Sequence, residues 1–411
     1  MPHPTTTPYE EALDLMLAAV QGSAPAIEQV SLPDALGRVL AADQISPINL
    51  PQTDNAAVDG YAVDAAYLAA NPDHIFAVIG TARAGHPFDG KAAPGQAVRV
   101  FTGAVMPAGP DCVLMHEDCQ LTDGGVICTK QLGAGTNMRP AGENLAAGEL
   151  VAEKGARLAA ADIGQLAAAG CADIPVFRRP RVALISTGDE LAEPGDGRKA
   201  GQIFDSNRPM LAALCRQQDV QLTDFGIIQD NRASLTEAYQ TALSRCDVVI
   251  SSGGASDGIE DHTQGAMQDI GAEPVFWRVA MKPGRPMAAG RRGRQMMFCL
   301  PGNPVAAFVC FRLLVRPVLD CLAGAAVRPP LCVMVPSGFA HKKQPGRAEF
   351  LRACLIPAPD GTQQAVLHGR KGAGVISSLT GADGLVEIPF AATELSPGQP
   401  IRFYPFNEVV L

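Results

Sequence analysis

Five loops rich in Gly, Asp, Ser, Lys and Arg follow short apolar runs between residues 181 and 324. Helical patterns separate these runs, which is typical of an open parallel α/β sheet. In such a sheet, ligands bind at the edge where the carboxyl ends of the strands meet. The loops are TGDE (187–190), QDN (229–231), SGGASDG (252–258), KPGRP (282–286) and PGNP (301–304). Their mixture of carboxylates and cations predicts a site for an anionic ligand and a divalent metal.

The acids of these loops are candidate metal ligands. Glu190 and Asp230 follow two of the apolar runs, and Glu260 and Asp261 lie where a helix is predicted to begin. Magnesium prefers carboxylate and water oxygens. Each acid also has an ordinary explanation, namely a solvated turn for Glu190, a helix cap for Asp230 and compensation of the helix dipole for Asp261. Both interpretations stay open at this point.

Two further loops offer groups that bind anions. Ser251, Gly253 and Gly254 are small residues with free backbone N–H groups, which suit a phosphate or carboxylate, although glycine pairs are also common in turns. Lys282 and Arg285 lie three residues apart on a loop stiffened by proline, which does not suit a core. They suit an oxyanion. The PGNP loop could simply be a turn before a helix.

Length and charge exclude several classes of protein. A chain of 411 residues favours several domains, and 47% hydrophobic residues are ample for buried cores. The net charge of −9 and the absence of a Lys/Arg-rich run argue against nucleic acid as a partner. The most apolar window, residues 295–311, is interrupted by PGNP and is too short to span a bilayer, so no membrane association is expected.

The cysteines and histidines show no metal-binding pattern. Eleven scattered cysteines without a C-x-x-C pair indicate neither a zinc ribbon nor a disulfide framework, and the seven histidines do not cluster. The N-terminal stretch lacks the basic and apolar regions of a signal peptide. We therefore expect reduced thiols and a cytoplasmic protein.

The rest of the chain divides by its periodicity. Helices are predicted from Thr7 to Gly22, over 32–40, over 158–170 and from Asn303 to Gly324. Residues 75–135 contain short β-rich runs broken by turns, which indicates an inserted β domain. Residues 331–411 alternate strands and turns, as in a small β-barrel or sandwich.

Taken together, the motifs resemble the molybdopterin molybdenumtransferase family, which includes MoeA and the E domain of gephyrin. Each motif is weak alone, but eleven in the right order are specific, and they span nearly the whole chain. They are AVDGYAV (57–63), FTGA (101–104), R-x-x-GE-N (139–144), STGDEL (186–191), DSNRPML (205–211), SSGG (251–254), Glu260-Asp261, WRVAMKPGRP (277–286), LPGNPVAAF (300–308), GRAEFLR (346–352) and Ser377-Ser378.

The resemblance implies an α/β multidomain fold. A parallel α/β domain of the MogA type would be accompanied by an elongated helical domain, an inserted small β domain and a C-terminal domain resembling a β-barrel. The expected boundaries are 1–50 and 141–179 for domain I, 51–140 for domain II, 180–326 for domain III and 327–411 for domain IV.

The resemblance also implies the last step of molybdenum cofactor synthesis. Molybdate would be inserted into adenylated molybdopterin, with magnesium-dependent release of AMP. The family is a homodimer with a composite active site, in which domain II of one subunit faces domain III of the other. A molybdopterin adenylyltransferase and molybdoenzyme chaperones are further possible partners.

Site residues are carried over by motif. Asp59 and Thr102 would line the cleft from the partner's side. Catalytic or metal-binding roles are implied for Glu190, Asp230, Asp261 and Lys282. Contacts to phosphate, molybdate or pterin are implied for Arg139, Ser251, Gly253, Gly254, Arg278, Arg285, Pro301, Asn303, Arg347 or Arg352, and Ser377 or Ser378.

The chain departs from the family pattern at several positions. Asn144 stands where an Asp is expected, and Ala306 where Ser is usual. Arg278 and Arg285 replace Lys, and Asp257 adds a negative charge to the SSGG loop. An arginine keeps the charge of a lysine but changes its shape and donor geometry. These changes leave the choice between molybdate and tungstate open.

Two alternative functions are considered. A molybdopterin adenylyltransferase shares the α/β domain but is a single small domain, so the additional domains argue against it. A non-enzymatic scaffold of the gephyrin E type is the second alternative. The presence of Asp59, Glu190 and Lys282 argues for catalysis instead.

Overall fold

The computed structural model describes residues 6–22, 25–254 and 262–407. The helices are α1 (Tyr9–Val20), α2 (Ala65–Ala70), α3 (Ala160–Ala168), α4 (Asn207–Arg216), α5 (Arg232–Leu243), α6 (His262–Asp269), α7 (Pro304–Cys310) and α8 (Arg316–Leu322). No helix among the described residues combines the length and the apolar composition needed to cross a bilayer.

The N-terminal part of the chain is built largely from short strands. They are β1 (Ile27–Ser31), β2 (Gln44–Ile45), β3 (Asn55–Ala56), β4 (Gly60–Val63), β5 (Ala77–Ala82), β6 (Gln96–Val100), β7 (Cys112–Met115), β8 (Cys119–Thr122), β9 (Gly125–Cys128), β10 (Met138–Arg139), β11 (Leu150–Ala152) and β12 (Asp173–Phe177). Strands β5, β6, β4 and β7 form one sheet in that order. This sheet and the β8–β9 hairpin fall within residues 75–135, where β-rich runs were predicted, except for β4, which precedes them.

Two antiparallel pairs join the chain segments on either side of this insert. β1 pairs with β12, and β2 pairs with β11. Buried Leu40, Leu158 and Leu166 form a core between these segments. The helix predicted over 32–40 is wrong, since only a 3-10 turn at Leu32–Ala35 forms. Leu36 leaves the helical region with a ψ of 129°, and Gly37 follows with a φ of +76°, so the chain turns away after one helical turn.

A six-stranded sheet forms the centre of the α/β unit. The strands of this part are β13 (Arg181–Thr187), β14 (Leu191–Ala192), β15 (Ile203–Phe204), β16 (Gln221–Ile228), β17 (Val248–Ser252), β18 (Glu273–Phe276), β19 (Met281–Lys282), β20 (Ala288–Arg292) and β21 (Gln295–Leu300). The order is β16-β13-β17-β21-β20-β18, and the first four are parallel. β20 is antiparallel to both of its neighbours, so β18 runs in the same direction as the first four.

The predicted strand over 275–281 is divided in the structure. β18 ends at Phe276, and β19 pairs with a strand of the C-terminal unit instead. Helix α1 also joins the α/β unit, although residues 1–50 were assigned to domain I. Its buried residues Tyr9, Met16 and Val20 lie in the same core cluster as Leu184.

The C-terminal unit is rich in strands. They are β22 (Val333–Pro336), β23 (His341–Lys342), β24 (Ala348–Pro357), β25 (Gln363–Leu367), β26 (Gly384–Ile388), β27 (Glu394–Leu395) and β28 (Pro400–Pro405). The main sheet has the order β19-β24-β26-β28-β22, and β25 pairs with β24. Because β19 belongs to this sheet, the KPGRP loop connects the α/β unit to the C-terminal unit.

Candidate functional site

A cavity of about 470 Å³ lies between the α/β unit and the C-terminal unit. Its described lining includes one carboxylate, from Glu349, and six cationic side chains. The cations belong to Lys282, Arg285, Lys342, Arg347, Arg352 and Lys371. Such an excess of positive charge in a concave site favours an anionic ligand.

The loop that carries Lys282 is fixed by its neighbours on both sides. The pairing of β19 with β24 places Lys282 opposite Glu349. Gly284 has a φ of +122°, and a Cβ there would lie 2.6 Å from the Cys310 sulfur of α7. Only glycine allows the loop to pack this closely against the helix.

Glu349 anchors two basic side chains at the cavity. Its carboxylate accepts hydrogen bonds from Lys282 Nζ at 3.1 Å and His341 Nε2 at 3.0 Å, and its side chain is 7% exposed. Burial opposes ionisation, but the hydrogen bonds from His341 and Lys282 outweigh it and hold the pKa of Glu349 below its ordinary value. Sequence reasoning missed Glu349 and His341, because strand pairing brings them to Lys282.

Replacing Glu349 by Gln is expected to destabilise the protein at neutral pH by about 1–3 kcal/mol, since charged hydrogen bonds are lost. A carboxyl whose pKa is depressed stabilises the fold above its unfolded pKa, and this contribution disappears as the pH falls through the folded pKa. The difference in unfolding free energy between wild type and Glu349→Gln should therefore become smaller as the pH falls below 4.5, the ordinary pKa of a glutamate. Urea unfolding of both proteins across pH 3–7 measures it.

Glu273→Gln is the matched control, because the carboxylate of Glu273 is 70% exposed and pairs with Arg291 on the surface. Exposed pairs contribute only about 0–1 kcal/mol, so this variant should remain near wild type at every pH. Equal destabilisation by both substitutions, or a Glu349→Gln effect independent of pH, contradicts the anchoring role.

Arg352 is held in place by the segment that follows β25. Its Nε donates to Ser378 Oγ at 2.9 Å, and a second nitrogen donates to the Arg370 carbonyl at 2.9 Å. Burial lowers the pKa of Arg352 from its ordinary value. Ser378 in turn donates to the Val375 carbonyl, so its hydroxyl positions Arg352. Ser377 is exposed and lies outside the described lining of the cavity.

Arg278 is not brought to the described lining of this cavity, unlike Arg347 and Arg285. The backbone carbonyl of Arg278 accepts a hydrogen bond from Thr7 at 2.9 Å, beside the N-terminal segment. The division of the predicted 275–281 strand explains the difference, since Arg278 lies in the connection between β18 and β19, whereas Lys282 is the last residue of β19.

Three loops meet at the carboxyl edge of the parallel sheet. A Cβ on Gly253 would lie 1.9 Å from the Thr187 carbonyl oxygen, and one on Gly254 would lie 2.6 Å from Thr263 Oγ1. Thr187 Oγ1 donates to Asp230 Oδ1 at 3.3 Å. The two glycines are therefore required for close approach of the TGDE, QDN and SSGG loops, which the sequence predicted to share one edge.

Glu190 and Asp230 belong to two of these loops. A Cβ on Gly188 would lie 2.6 Å from a carboxylate oxygen of Glu190, and the Asp230 amide donates to Asp189 Oδ1 at 3.4 Å. No group of three His, Cys, Asp or Glu side chains lies at ligand spacing within the described ranges, and Asp261 and Glu260 lie outside them. Two carboxylates suit Mg²⁺, which keeps waters and binds substrate phosphates.

The hydroxyl of Ser251 is hydrogen-bonded inside the protein. Its Oγ accepts from Tyr239 at 3.1 Å in the core, because successive residues of a strand face opposite sides. Ser252 faces the other way and accepts from Asn207 Nδ2 at 2.8 Å. Asn207 also donates to the Gly302 carbonyl at 2.8 Å and so joins the SSGG and PGNP loops. Sequence reasoning missed Asn207, although the DSNRPML motif contains it.

The PGNP loop contacts both the SSGG loop at the edge of the parallel sheet and the cation cavity. Gly302 lies beside Gly253, while Pro301 and Asn303 line the cation cavity. Ala306, in the first turn of α7, lines it as well and is 2% exposed. The carboxylate loops and the cation cavity are therefore neighbours joined by one loop.

A second cavity, of about 580 Å³, lies at the inserted β region. Asp59 accepts from the backbone N–H of Thr102 at 2.7 Å and from its hydroxyl at 2.8 Å, and these bonds lower the pKa of Asp59. Thr102, Arg139 and Asn144 line this cavity. None of the described residues lines both cavities.

The chain matches three family models along its length. They are the MoeA N-terminal region (domain I and II) over residues 7–170, the probable molybdopterin binding domain over 183–320, and the MoeA C-terminal region (domain IV) over 335–406. Together with the fold, these matches define a multidomain protein with a molybdopterin-binding α/β domain.

Full-length relatives identify the family. A molybdopterin molybdenumtransferase of Haemophilus influenzae is 34% identical over 93% of this chain and 95% of its own length, and one of Nostoc sp. is 34% identical over 91% and 87%. A molybdopterin biosynthesis MoeA protein from Pyrococcus horikoshii OT3 superposes with a TM-score of 0.83 at 28% identity, over 98% of this chain and 100% of that one. The chain belongs to the molybdopterin molybdenumtransferase family.

Proposed function

We propose that the protein is a transferase that inserts molybdenum from molybdate into adenylated molybdopterin, with magnesium-dependent release of AMP. The observation that carries this proposal is the cation cavity and its position beside the carboxylate loops of the parallel sheet. The substrates are a tetrahedral oxyanion and a phosphoanhydride, and both need several positive donors.

Lys282, Arg285 and Arg352 would bind the anionic groups in this cavity. Glu349 holds the Lys282 ammonium at one wall, and Ser378 holds the Arg352 guanidinium at another. Donors that are already fixed need no reorganisation when negative charge develops during cleavage. The family membership and the charge of the cavity support these roles.

Glu190, Asp230 and Asp261 would bind the magnesium ion. When bound, the ion would neutralise charge on the phosphate oxygens and favour departure of the nucleotide. Glu190 and Asp230 would also position a nucleophile, because both are acceptors and lie on loops that pack closely against Gly188 and Gly254. The proposed role of Asp261 rests on the Glu260-Asp261 motif alone.

The second cavity supports a homodimer with a composite site. Asp59, Thr102 and Arg139 lie in the inserted β region, and none of the three belongs to the described lining of the cation cavity of the same chain. In the proposed dimer, these residues of one subunit face the cation cavity of the other. A molybdopterin adenylyltransferase that supplies the substrate and chaperones that receive the product are the proposed partners. All eleven cysteines are free, which supports a reducing, cytoplasmic location.

The test uses the purified full-length protein with adenylated molybdopterin, molybdate and Mg²⁺. AMP and molybdenum-loaded molybdopterin should form together in equal amounts, and chelation of the metal should stop both. Binding without AMP release would indicate the scaffold alternative. Consumption of ATP with formation of adenylated molybdopterin would indicate an adenylyltransferase.

Ala306→Ser is expected to tighten molybdate binding. The position lines the cation cavity at the start of α7, so a hydroxyl there adds a donor to the anion. A hydrogen bond to a charged group contributes about 1.5–3 kcal/mol, which corresponds to a fall of roughly 10-fold to 150-fold in the half-saturating molybdate concentration. Titration of molybdate at fixed adenylated molybdopterin measures this change.

The matched control is Ala306→Cys, which adds one side-chain atom of similar position but only a weak donor. It should leave molybdate affinity near wild type, and neither variant should alter the KM for adenylated molybdopterin. An unchanged or higher half-saturating concentration in the Ser variant would mean that molybdate does not bind at this helix.

A further inference from the structure

One thiol of the C-terminal unit lies against a histidine beside the cation cavity. Cys354 of β24 is partly exposed. Its thiol donates a hydrogen bond to the Gly381 carbonyl at 3.2 Å, and its sulfur lies 3.3 Å from His368 Nδ1. The other ring nitrogen of His368, Nε2, lies 2.9 Å from the Thr380 carbonyl oxygen. The thiol, the imidazole and a backbone acceptor thus form a continuous chain.

The acceptor at the end of this chain fixes the tautomer of His368. A carbonyl oxygen only accepts, so the Thr380 contact requires the proton of the neutral ring on Nε2. The Nδ1 lone pair then lies 3.3 Å from the Cys354 sulfur, within reach of the thiol proton when the S–H group turns from the Gly381 carbonyl to the imidazole. A nucleophile, a base and a group that orients the base are the elements that activate thiols in proteins.

We propose that Cys354 is a reactive thiol that undergoes exchange with small disulfides. His368 Nδ1 takes the thiol proton, and the thiolate of Cys354 attacks one sulfur of the disulfide. The disulfide bond breaks, a mixed disulfide forms on Cys354, and the other half leaves as a thiolate that takes the proton from His368. Cys354 is oxidised, and the departing half of the disulfide is reduced.

Other cysteines of the chain lack this environment. Burial raises the pKa of Cys112, Cys119 and Cys215 to about 12, and it raises that of Cys310 as well. The thiolate is the reactive form, so these residues are poor competitors. Cys332 is exposed and provides a comparison in which access alone determines the rate.

The reactive thiol is coupled to the candidate site by the segment after β25. His368 and Gly369 line the cation cavity, and a Cβ on Gly369 would lie 2.7 Å from Ser378 Cβ, so this segment has no space to shift inward. The Arg370 carbonyl holds Arg352. A bulky adduct on Cys354 should displace His368 and loosen Arg352, and this consequence for activity rests on the proposed function.

The test exposes the full-length protein to glutathione disulfide and follows the adduct at each cysteine by peptide mass spectrometry. We expect Cys354 to react at least about tenfold faster than Cys332, because a positioned base supplies the thiolate. His368→Gln is the informative variant, since its amide N–H can still donate to the Thr380 carbonyl while the base is lost. It should reduce the rate at Cys354 at least about tenfold and leave the rate at Cys332 unchanged.

Equal rates at Cys354 and Cys332, or an unchanged rate in His368→Gln, overturn the proposal. Should that variant unfold, His368→Asn takes its place with the same expectation. Activity is measured separately: the adduct should raise the half-saturating molybdate concentration of wild type, and Cys354→Ser should be insensitive to glutathione disulfide. The adduct rates test the thiol even if the protein proves to have no transferase activity.

Discussion

Glu190→Gln is expected to reduce AMP release by about two to three orders of magnitude, the effect of removing a charged group from a preorganised site. Glu190 lies on an exposed loop, and Gln keeps its length, so the melting temperature should stay within about 2 °C of wild type. The same result is expected for Asp261→Asn. Single-turnover release of AMP and thermal unfolding provide the two measurements.

Glu193→Gln is the matched control for this experiment. Glu193 lies three residues further along the chain and forms an ion pair with Arg208, which gives its carboxylate a structural role. This variant should lose some stability while the folded protein keeps nearly normal AMP release. The reverse pattern for Glu190→Gln, a large fall in melting temperature with near-normal specific activity, would show that Glu190 is structural.

The central strands β13, β17 and β21 of the α/β unit were predictable because they are buried on both faces. The apolar runs at 181–186 and 247–251 correspond to β13 and β17 within one residue at each end. The run at 275–281 was equally apolar but is not one strand, since β20 forms an antiparallel hairpin with β21 and occupies the adjacent place in the sheet. The pattern of apolar residues along the chain indicates which residues are buried. Which strands pair depends on segments that are distant in sequence.

The residues of the candidate site were predictable only where the residue types within one loop already indicate a ligand-binding role. Lys282 and the two glycines of SSGG were predicted from local residue types, and the structure places the former in the cation cavity and the latter against Thr187. The buried partners that position the site were not predictable. Glu349 reaches Lys282 through strand pairing, and Asn207 reaches Ser252 across the sheet edge, 45 residues away in sequence.

The direction of Ser251 shows why a motif alone does not assign a ligand. Two consecutive serines end β17, and a strand turns them to opposite faces. The sequence does not state which partner each serine meets, whereas the structure places Ser251 against the Tyr239 hydroxyl and Ser252 against Asn207.

Mixing Asp59→Ala protein with Lys282→Ala protein is expected to restore activity that neither variant has alone. The reason is the placement of Thr102, the partner of Asp59, in a cavity separate from that of Lys282. If the site is shared across a twofold dimer, each heterodimer contains one intact site, formed by Asp59 of one chain and Lys282 of the other. Equal mixing produces heterodimers in half of the molecules, so about one quarter of the sites should recover.

Subunit exchange must be verified for this result to be decisive. Differently tagged variants, mixed and purified through both tags, provide heterodimers in which half of the sites should be active. Mixing Asp59→Ala with Thr102→Ala is the matched control, because both changes affect the same half of the site and every composite site then carries one of them. No recovery in the verified Asp59→Ala and Lys282→Ala heterodimer would assign both residues to one chain's own site, whereas recovery there and none in the control would require the site to be formed by two chains.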